Sequence, residues 1–207
     1  LDDNTASNGY GSADLTTLRD LTLKGTLTGE FKSQAFKGCT KLTTLDMTGL
    51  TINGGKIGDS AFEGCTKLET LTFNDITEGT IGNAAFKGCT KLESVTFGKI
   101  TGTELKDALI DQDAFTGCTK LGELTFGDLE HVTIDQNAFK NLASGTLASS
   151  SAAKLQFAKL TDVDINASAF EGGAKLKTIQ FGAADGLNIA SKAFAGCATN
   201  ASATLTF

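Results

Sequence analysis

Residues 81–97 read IGNAAFKGCTKLESVTF, and this stretch decides the architecture because it recurs along the chain. Its anchor is Ala85-Phe86. The same dipeptide stands at Ala35-Phe36, Ala61-Phe62, Ala114-Phe115, Ala138-Phe139, Ala169-Phe170 and Ala193-Phe194. Five residues before each Phe lies an apolar residue: Phe31, Ile57, Ile81, Ile110, Ile134, Ile165 and Ile189. Nine residues after the Phe, an apolar-polar-apolar motif begins at Leu45, Leu71, Val95, Leu124 and Ile179. Further copies begin at Leu155 and Leu205 after longer gaps, and one at Leu21 precedes the first Ala-Phe. A fixed internal period is the signature of a solenoid.

The unit is 24 residues, as from Phe62 to Phe86. Longer intervals arise from insertions at two places, within 98–109 and 142–154. Constant spacing inside blocks, with slack between them, describes a coiled scaffold carrying surface loops. The alternation in Leu71-Thr72-Phe73 is that of a half-buried strand, with Leu71 and Phe73 inward and Thr72 outward. Two residues after each Phe comes Gly38, Gly64, Gly88, Gly117, Gly172 or Gly196, with Asn141 in the fifth block. Gly and Asn tolerate positive φ, so a left-handed residue is expected there in every coil. The Ala before each Phe marks a tight site. One coil buries too little to offset the entropy of ordering it, so stability must be collective.

Composition narrows the function. The 207 residues carry 18 basic and 24 acidic side chains, a net charge of −6, which disfavours a nucleic-acid partner. No apolar run reaches membrane-span length. There is no Pro or Trp, and 14 of the 15 aromatic residues are Phe, as though one core slot were filled repeatedly. The chain starts at Leu1 rather than Met, which points to a processed or trimmed N-terminus. Residues 1–14 are polar and are expected to form an N-terminal linker or cap, leaving 15–207 as a single solenoid of about seven to eight coils.

The pattern Ile-x-x-x-Ala-Phe-x-Gly-Cys-x-x-Leu-x-x-Leu-x-Phe resembles the BspA-like leucine-rich repeats, also called the Treponema pallidum type. The resemblance covers about residues 15–207. It implies a β-rich leucine-rich-repeat superhelix, with parallel strands on the concave face and turns or short helical segments on the convex side. It also implies a secreted or surface-anchored protein of a host-associated bacterium or a protist, often linked to adhesion. The family commonly carries Pro after the strand. Here that slot holds Asn74, Gly98, Gly127, Ala158 or Gly182, so the turn is expected to differ locally while the coil does not.

Few residues suggest chemistry. Cys39, Cys65, Cys89, Cys118 and Cys197 share one repeat phase. No Cys-x-x-Cys or paired His supports a metal site. The phase also holds Leu142, so buried free thiols are expected rather than disulfides. His131, the only His, reads as a solvated loop residue, and no nucleophile motif accompanies it. Asp111/Asp113 and Asp162/Asp164 read as turn and loop carboxylates, since no calcium-loop pattern surrounds them. No cofactor is implied. A lysine row, Lys41, Lys67, Lys91, Lys120 and Lys175, reads as a solvated edge that keeps the solenoid soluble, with an anionic glycan as its alternative partner.

The outward strand positions are the candidate binding surface. One row is Thr22, Asp46, Thr72, Thr96, Thr125, Gln156, Gln180 and Thr206. The other is Asp20, Thr44, Thr70, Ser94, Glu123, Lys154, Thr178 and Thr204. This polar face suits glycans or an extended peptide. The expected function is a non-catalytic extracellular or cell-surface binding or adhesion module for a host or cell-surface protein or glycan, acting through this face and the inserted loops. The alternative is a spacer or stalk that presents another domain. At Phe207 the chain stops inside a strand motif. Continuation of the parent chain, or end-to-end self-association through Phe207, is expected there.

Overall fold

A computed structural model describes residues 17–104, 107–145, 153–197 and 204–206. The polar segment 1–14, Tyr10 and Phe207, with the continuation or self-association expected there, lie outside the described residues.

The described chain winds through seventeen strands of one parallel sheet system. The front ladder contains the Leu-x-Phe motifs. It runs through β1 (Asp20–Leu27), β3 (Thr44–Asn53), β5 (Thr70–Thr72), β8 (Ser94–Phe97), β11 (Glu123–Phe126), β13 (Ala153–Phe157), β15 (Leu176–Gln180) and β17 (Thr204–Thr206). Each strand pairs in parallel with the equivalent strand one coil away, as Leu71 with Val95 and Leu124 with Leu155. Leu71, Phe73, Val95, Phe97, Leu124 and Phe126 are all buried, as the alternation requires.

A second ladder was not separated out by the sequence motif. It starts with the far ends of β1 and β3 and continues through β6 (Ile76–Thr77) and β9 (Ile100–Thr101). Beside it run β2 (Glu30–Phe31), β4 (Lys56–Ile57), β7 (Thr80–Ile81) and β10 (Ala108–Ile110). From the fifth coil the two pieces fuse into single strands: β12 (Leu129–Ile134), β14 (Leu160–Ile165) and β16 (Ala184–Ile189). His131 and Asp162 therefore sit in strands rather than loops, which corrects the expectation from sequence. Both have φ of 49°, and the parallel register is kept on either side of them, Glu130 with Thr161 and Val132 with Val163. Asp164 is also in a strand, whereas Asp111 and Asp113 are in the turn after β10.

The Ala-Phe segment closes each coil with turns, and the described residues contain no helix. Within a coil, Cys39 N–H donates to Phe36 O (3.1 Å) and Leu42 N–H to Cys39 O (3.0 Å). Between coils, alternate amides point along the stack. Gln34, Phe36 and Gly38 donate to Asp59 O, Ala61 O and Glu63 O at 2.9, 2.7 and 2.7 Å. The turn side is thus stitched by its own ladder, which satisfies backbone groups that a tight turn otherwise leaves unpaired.

This ladder explains the glycine phase. Gly38, Gly64, Gly88, Gly117, Gly172 and Gly196 have φ between 70° and 80°, and Asn141 has 63°. In the slot after the front strand, the space is tight at the glycines although Asn74 and Ala158 carry a Cβ there. A Cβ on Gly127 would lie 2.6 Å from Gly98 O, so the chain of the preceding coil occupies that space.

The core contains two columns of Phe rings, not one. The Ala-Phe rings stack from Phe36 to Phe194, with neighbouring centroids 4.9–5.3 Å apart and planes within 8°. The strand rings Phe73, Phe97, Phe126, Phe157 and Phe181 form a second stack at 4.7–5.0 Å. The columns meet edge to face, as Phe97 with Phe115 at 86° and 6.0 Å. Both offset stacking and edge-to-face contact suit the ring quadrupole. The Ala before each Phe is buried in every coil from Ala61 onward.

Candidate functional site: the front strand face

The front strands place every second side chain in solvent, and parallel register aligns them into two rows. In the first row Thr22 pairs with Asp46, Thr72 with Thr96, Thr96 with Thr125, Thr125 with Gln156, and Gln156 with Gln180. In the second, Asp20 pairs with Thr44, Thr44 with Thr70, Thr70 with Ser94, Ser94 with Glu123, Glu123 with Lys154, and Lys154 with Thr178. The backbone register continues from Thr178 to Thr204 and from Gln180 to Thr206. All fourteen residues through Gln180 are exposed or half-buried, so the structure brings the whole predicted set onto one accessible surface.

Its chemistry is mainly that of neutral hydrogen-bonding groups, with the charges of Asp20, Asp46, Glu123 and Lys154 among them. Thr44, Thr70, Thr72, Thr96 and Thr125 supply hydroxyls that both donate and accept. Two places are already engaged internally. The Asp46 carboxylate accepts from Thr48 Oγ1 (2.7 Å) and Thr48 N–H (3.0 Å), and these bonds hold its carboxyl below the usual range. The Gln156 amide donates to Gln180 Oε1 at 3.2 Å, an amide ladder between coils. The central stretch from Thr70 to Thr125 has no such self-contact among the hydrogen bonds of the described residues.

The two insertions relate differently to this face. The first insertion falls in sequence between β9 and β10 of the second ladder. There the Asp107 carboxylate accepts from Thr133 Oγ1 at 3.2 Å. The second insertion leaves the turn at Leu142 and Ala143, both buried, and runs into β13, which carries Lys154 and Gln156. Its start is anchored by Gly145 N–H on Thr119 O at 2.7 Å. Only the second insertion is continuous with the front rows.

The remaining candidates fall elsewhere. Cys39, Cys65, Cys89 and Cys118 are buried free thiols and Cys197 is half-buried. Cys65, Cys89 and Cys118 donate to Phe36 O, Phe62 O and Phe86 O of the preceding coil at 3.3–3.4 Å. Burial raises the Cys65 thiol well above its ordinary range. His131 Nδ1 lies 3.8 Å from Asp162 Oδ2. Among the described residues no three of His, Cys, Asp and Glu are grouped to hold a metal ion. No described helix is long and apolar enough to cross a membrane. Sequence reading also missed a row of paired charges on the turn side, Lys37–Glu63 at 2.9 Å and Lys140–Glu171 at 3.5 Å. The signal was present one residue after each Phe, as Lys37, Glu63, Lys87, Thr116, Lys140 and Glu171.

A stack of parallel coils built on buried Leu, Ile and Phe, with a polar strand face, is a leucine-rich-repeat solenoid. The BspA type leucine rich repeat region matches residues 13–144 and 99–197, in six copies, and the chain belongs to that family. No curated protein matches the sequence significantly. Among solved structures, the chain is similar to a leucine-rich repeat protein from Bacteroides ovatus at 17% identity and a TM-score of 0.31. The match covers 87% of this chain and 65% of that one, so the chain spans under two thirds of its length.

Proposed function

We propose that this chain is a non-catalytic binding or adhesion module, secreted or held at a cell surface, that recognises an extracellular protein or glycan through its front strand face. The observation that carries this reading is the pair of polar rows, aligned in register from β5 through β13 and open to solvent. A repeated hydroxyl-bearing surface can form many weak hydrogen bonds along an extended ligand, and the sum gives affinity without a deep pocket. The second insertion leads in sequence into β13, which carries Lys154 and Gln156 of the face. Membership of the repeat family supports a binding or scaffolding role rather than catalysis.

The test is a screen of extracellular host proteins and glycans with the wild-type chain, followed by the combined Thr72→Lys, Thr96→Lys and Thr125→Lys variant. These positions are solvent-facing, so the variant should keep its melting temperature and lose the ligand. Retained binding would move the site off this face. A clean negative across the screen would favour a spacer that presents another domain.

A further inference from the structure

Each row of side chains along the stack repeats one coil position, so its pattern of charge is set by the repeat and can be compared between rows. One residue after the Phe, the lysines are paired with opposite charge: Lys37 meets Glu63, Lys140 meets Glu171, and Lys87, whose row neighbour is the neutral Thr116, approaches Asp113 of the next coil at 3.9 Å. In the turn after the front strand, Asp75, Lys99, Asp128 and Lys159 alternate in sign. The Asp75 and Asp128 carboxylates accept the backbone N–H of Lys99 and Lys159 at 2.8 and 3.1 Å. Five residues after the Phe the sign does not alternate. Four consecutive coils present Lys41, Lys67, Lys91 and Lys120. All four are exposed or half-buried, and none is among the ion pairs of the described residues. The row stops at the fifth coil, where Ser144 takes the position, and Lys175 beyond it donates to Gly145 O of the second insertion.

Stacking like charges at coil spacing costs energy that alternation would remove, as the neighbouring rows show. The spacing near this row is given by the adjacent ring column: 5.3, 5.2 and 5.0 Å from Phe36 through Phe62 and Phe86 to Phe115. We propose that the lysine row is a second binding site, separate from the front face, for a linear acidic polysaccharide lying along the stack. One anionic charge per coil is what it would match. An extended acidic peptide presents same-side carboxylates only every ~6.6–6.8 Å. Each strand of a nucleic-acid duplex carries a phosphate every ~3.4 Å of axis. Single strands bind by stacking bases on exposed aromatics, and the only large apolar side chain exposed among the described residues is Ile189. A polyuronate carries a carboxylate on every sugar and no base that must stack. Its successive sugars are turned about the chain axis, so the flexible lysine stems, not an exact spacing match, let the row engage it. Glu69 and Glu93, two residues beyond Lys67 and Lys91, form no ion pair with the row and lower its potential, so they set an upper limit on affinity.

The experiment is titration of the full chain with polygalacturonate, with neutral dextran and single-stranded oligo(dT) alongside, at low and at physiological salt. The wild type should bind polygalacturonate saturably, more weakly as salt rises, and should ignore dextran. The combined Lys67→Gln, Lys91→Gln and Lys120→Gln variant should lose affinity by more than about tenfold, while the same three changes to Arg should retain it. Glu69→Gln with Glu93→Gln should tighten binding. Lys37→Gln, Lys87→Gln and Lys140→Gln should leave it within about twofold. Thr72→Ala, Thr96→Ala and Thr125→Ala should not affect it, which keeps this site distinguishable from the front face. No polygalacturonate binding at low salt, an unaffected Lys-to-Gln variant that is folded by circular dichroism, or tighter binding of oligo(dT) would each overturn the proposal.

Discussion

Two residues in each turn have positive φ, and only one of them was legible in the sequence. Two after the Phe, the slot is Gly in six coils and Asn141 in the other, at φ of 70–80° for the glycines. Two before the Phe, φ is also positive, at 55–63°, yet the residues are Gln34, Ser60, Ala84, Asp113, Asn137, Ser168 and Lys192. The difference is physical. The left-handed well open to side-chain-bearing residues spans about 50–70°, so the second set lies inside it and the glycines lie at or beyond its edge. The cost of about 1–2 kcal/mol for a side chain in that well is offset by the inter-coil bonds it permits. Ser60 N–H to Asn83 O at 2.8 Å is one of these. Such a position leaves no compositional trace. At Gly88 an added Cβ would meet nothing within 4 Å, so φ alone decides what fits. Gly88→Val should cost more than about 1 kcal/mol, and Gly88→Asn clearly less, measured by chemical denaturation. Equal stability of the Val variant and wild type would show that the turn relaxes freely.

The motif spacing revealed which residues are inward but not how the inward groups meet. Counting Phe suggests one repeated slot. The rings in fact form two columns at right angles, because one set leaves a strand and the other a turn. The second strand ladder was hidden for a related reason. Its pieces are two residues long in several coils, as at β6 and β7, and carry too little alternation to be seen. The cysteine row was readable because Leu142 shares its phase, and burial now gives it a consequence. Burial raises the thiols of Cys39, Cys65 and Cys197, and Cys89 is raised first by its contact with Cys118 and then by burial. The ordinary value is 9.0. A group raised on folding contributes stability that is intact below the unfolded value and is lost as pH climbs above it, since only the unfolded chain can then shed the proton. The denaturant midpoint should therefore hold between neutral pH and 9.0 and fall above it. Cys65→Ala should be less stable at neutral pH and show a shallower alkaline fall. An unchanged slope in that variant would remove the thiols from the explanation.

The stack as a whole has positions that differ only in how many neighbours they have. The residue after the recurring apolar position donates its amide to the previous coil in six successive places. Gly58 donates to Phe31 O at 2.7 Å, Gly82 to Ile57 O at 2.8 Å and Asp111 to Ile81 O at 2.9 Å. Asp135 donates to Ile110 O at 2.8 Å, Asn166 to Ile134 O at 2.9 Å and Ala190 to Ile165 O at 2.8 Å. The bonds are nearly identical in length, so local strength does not distinguish them. What differs is cover. Ile165 is 1% exposed and Ile189, one coil on, is 43% exposed. Phe31 at the other end is only half-buried, while Ile81 and Ile110 are fully enclosed. In a one-dimensional stack, stability is a sum of coil and interface contributions, and a coil with one neighbour opens more cheaply than a coil with two. Hydrogen exchange, corrected for each residue's intrinsic rate, should then give graded protection. The amides of Asp111 and Asp135 should exchange slowest, those of Gly58 and Asn166 faster, and that of Ala190 fastest, by more than about tenfold across the series. Equal protection at all six would mean that the coils open together, and that the chain behaves as one cooperative block despite its repeats.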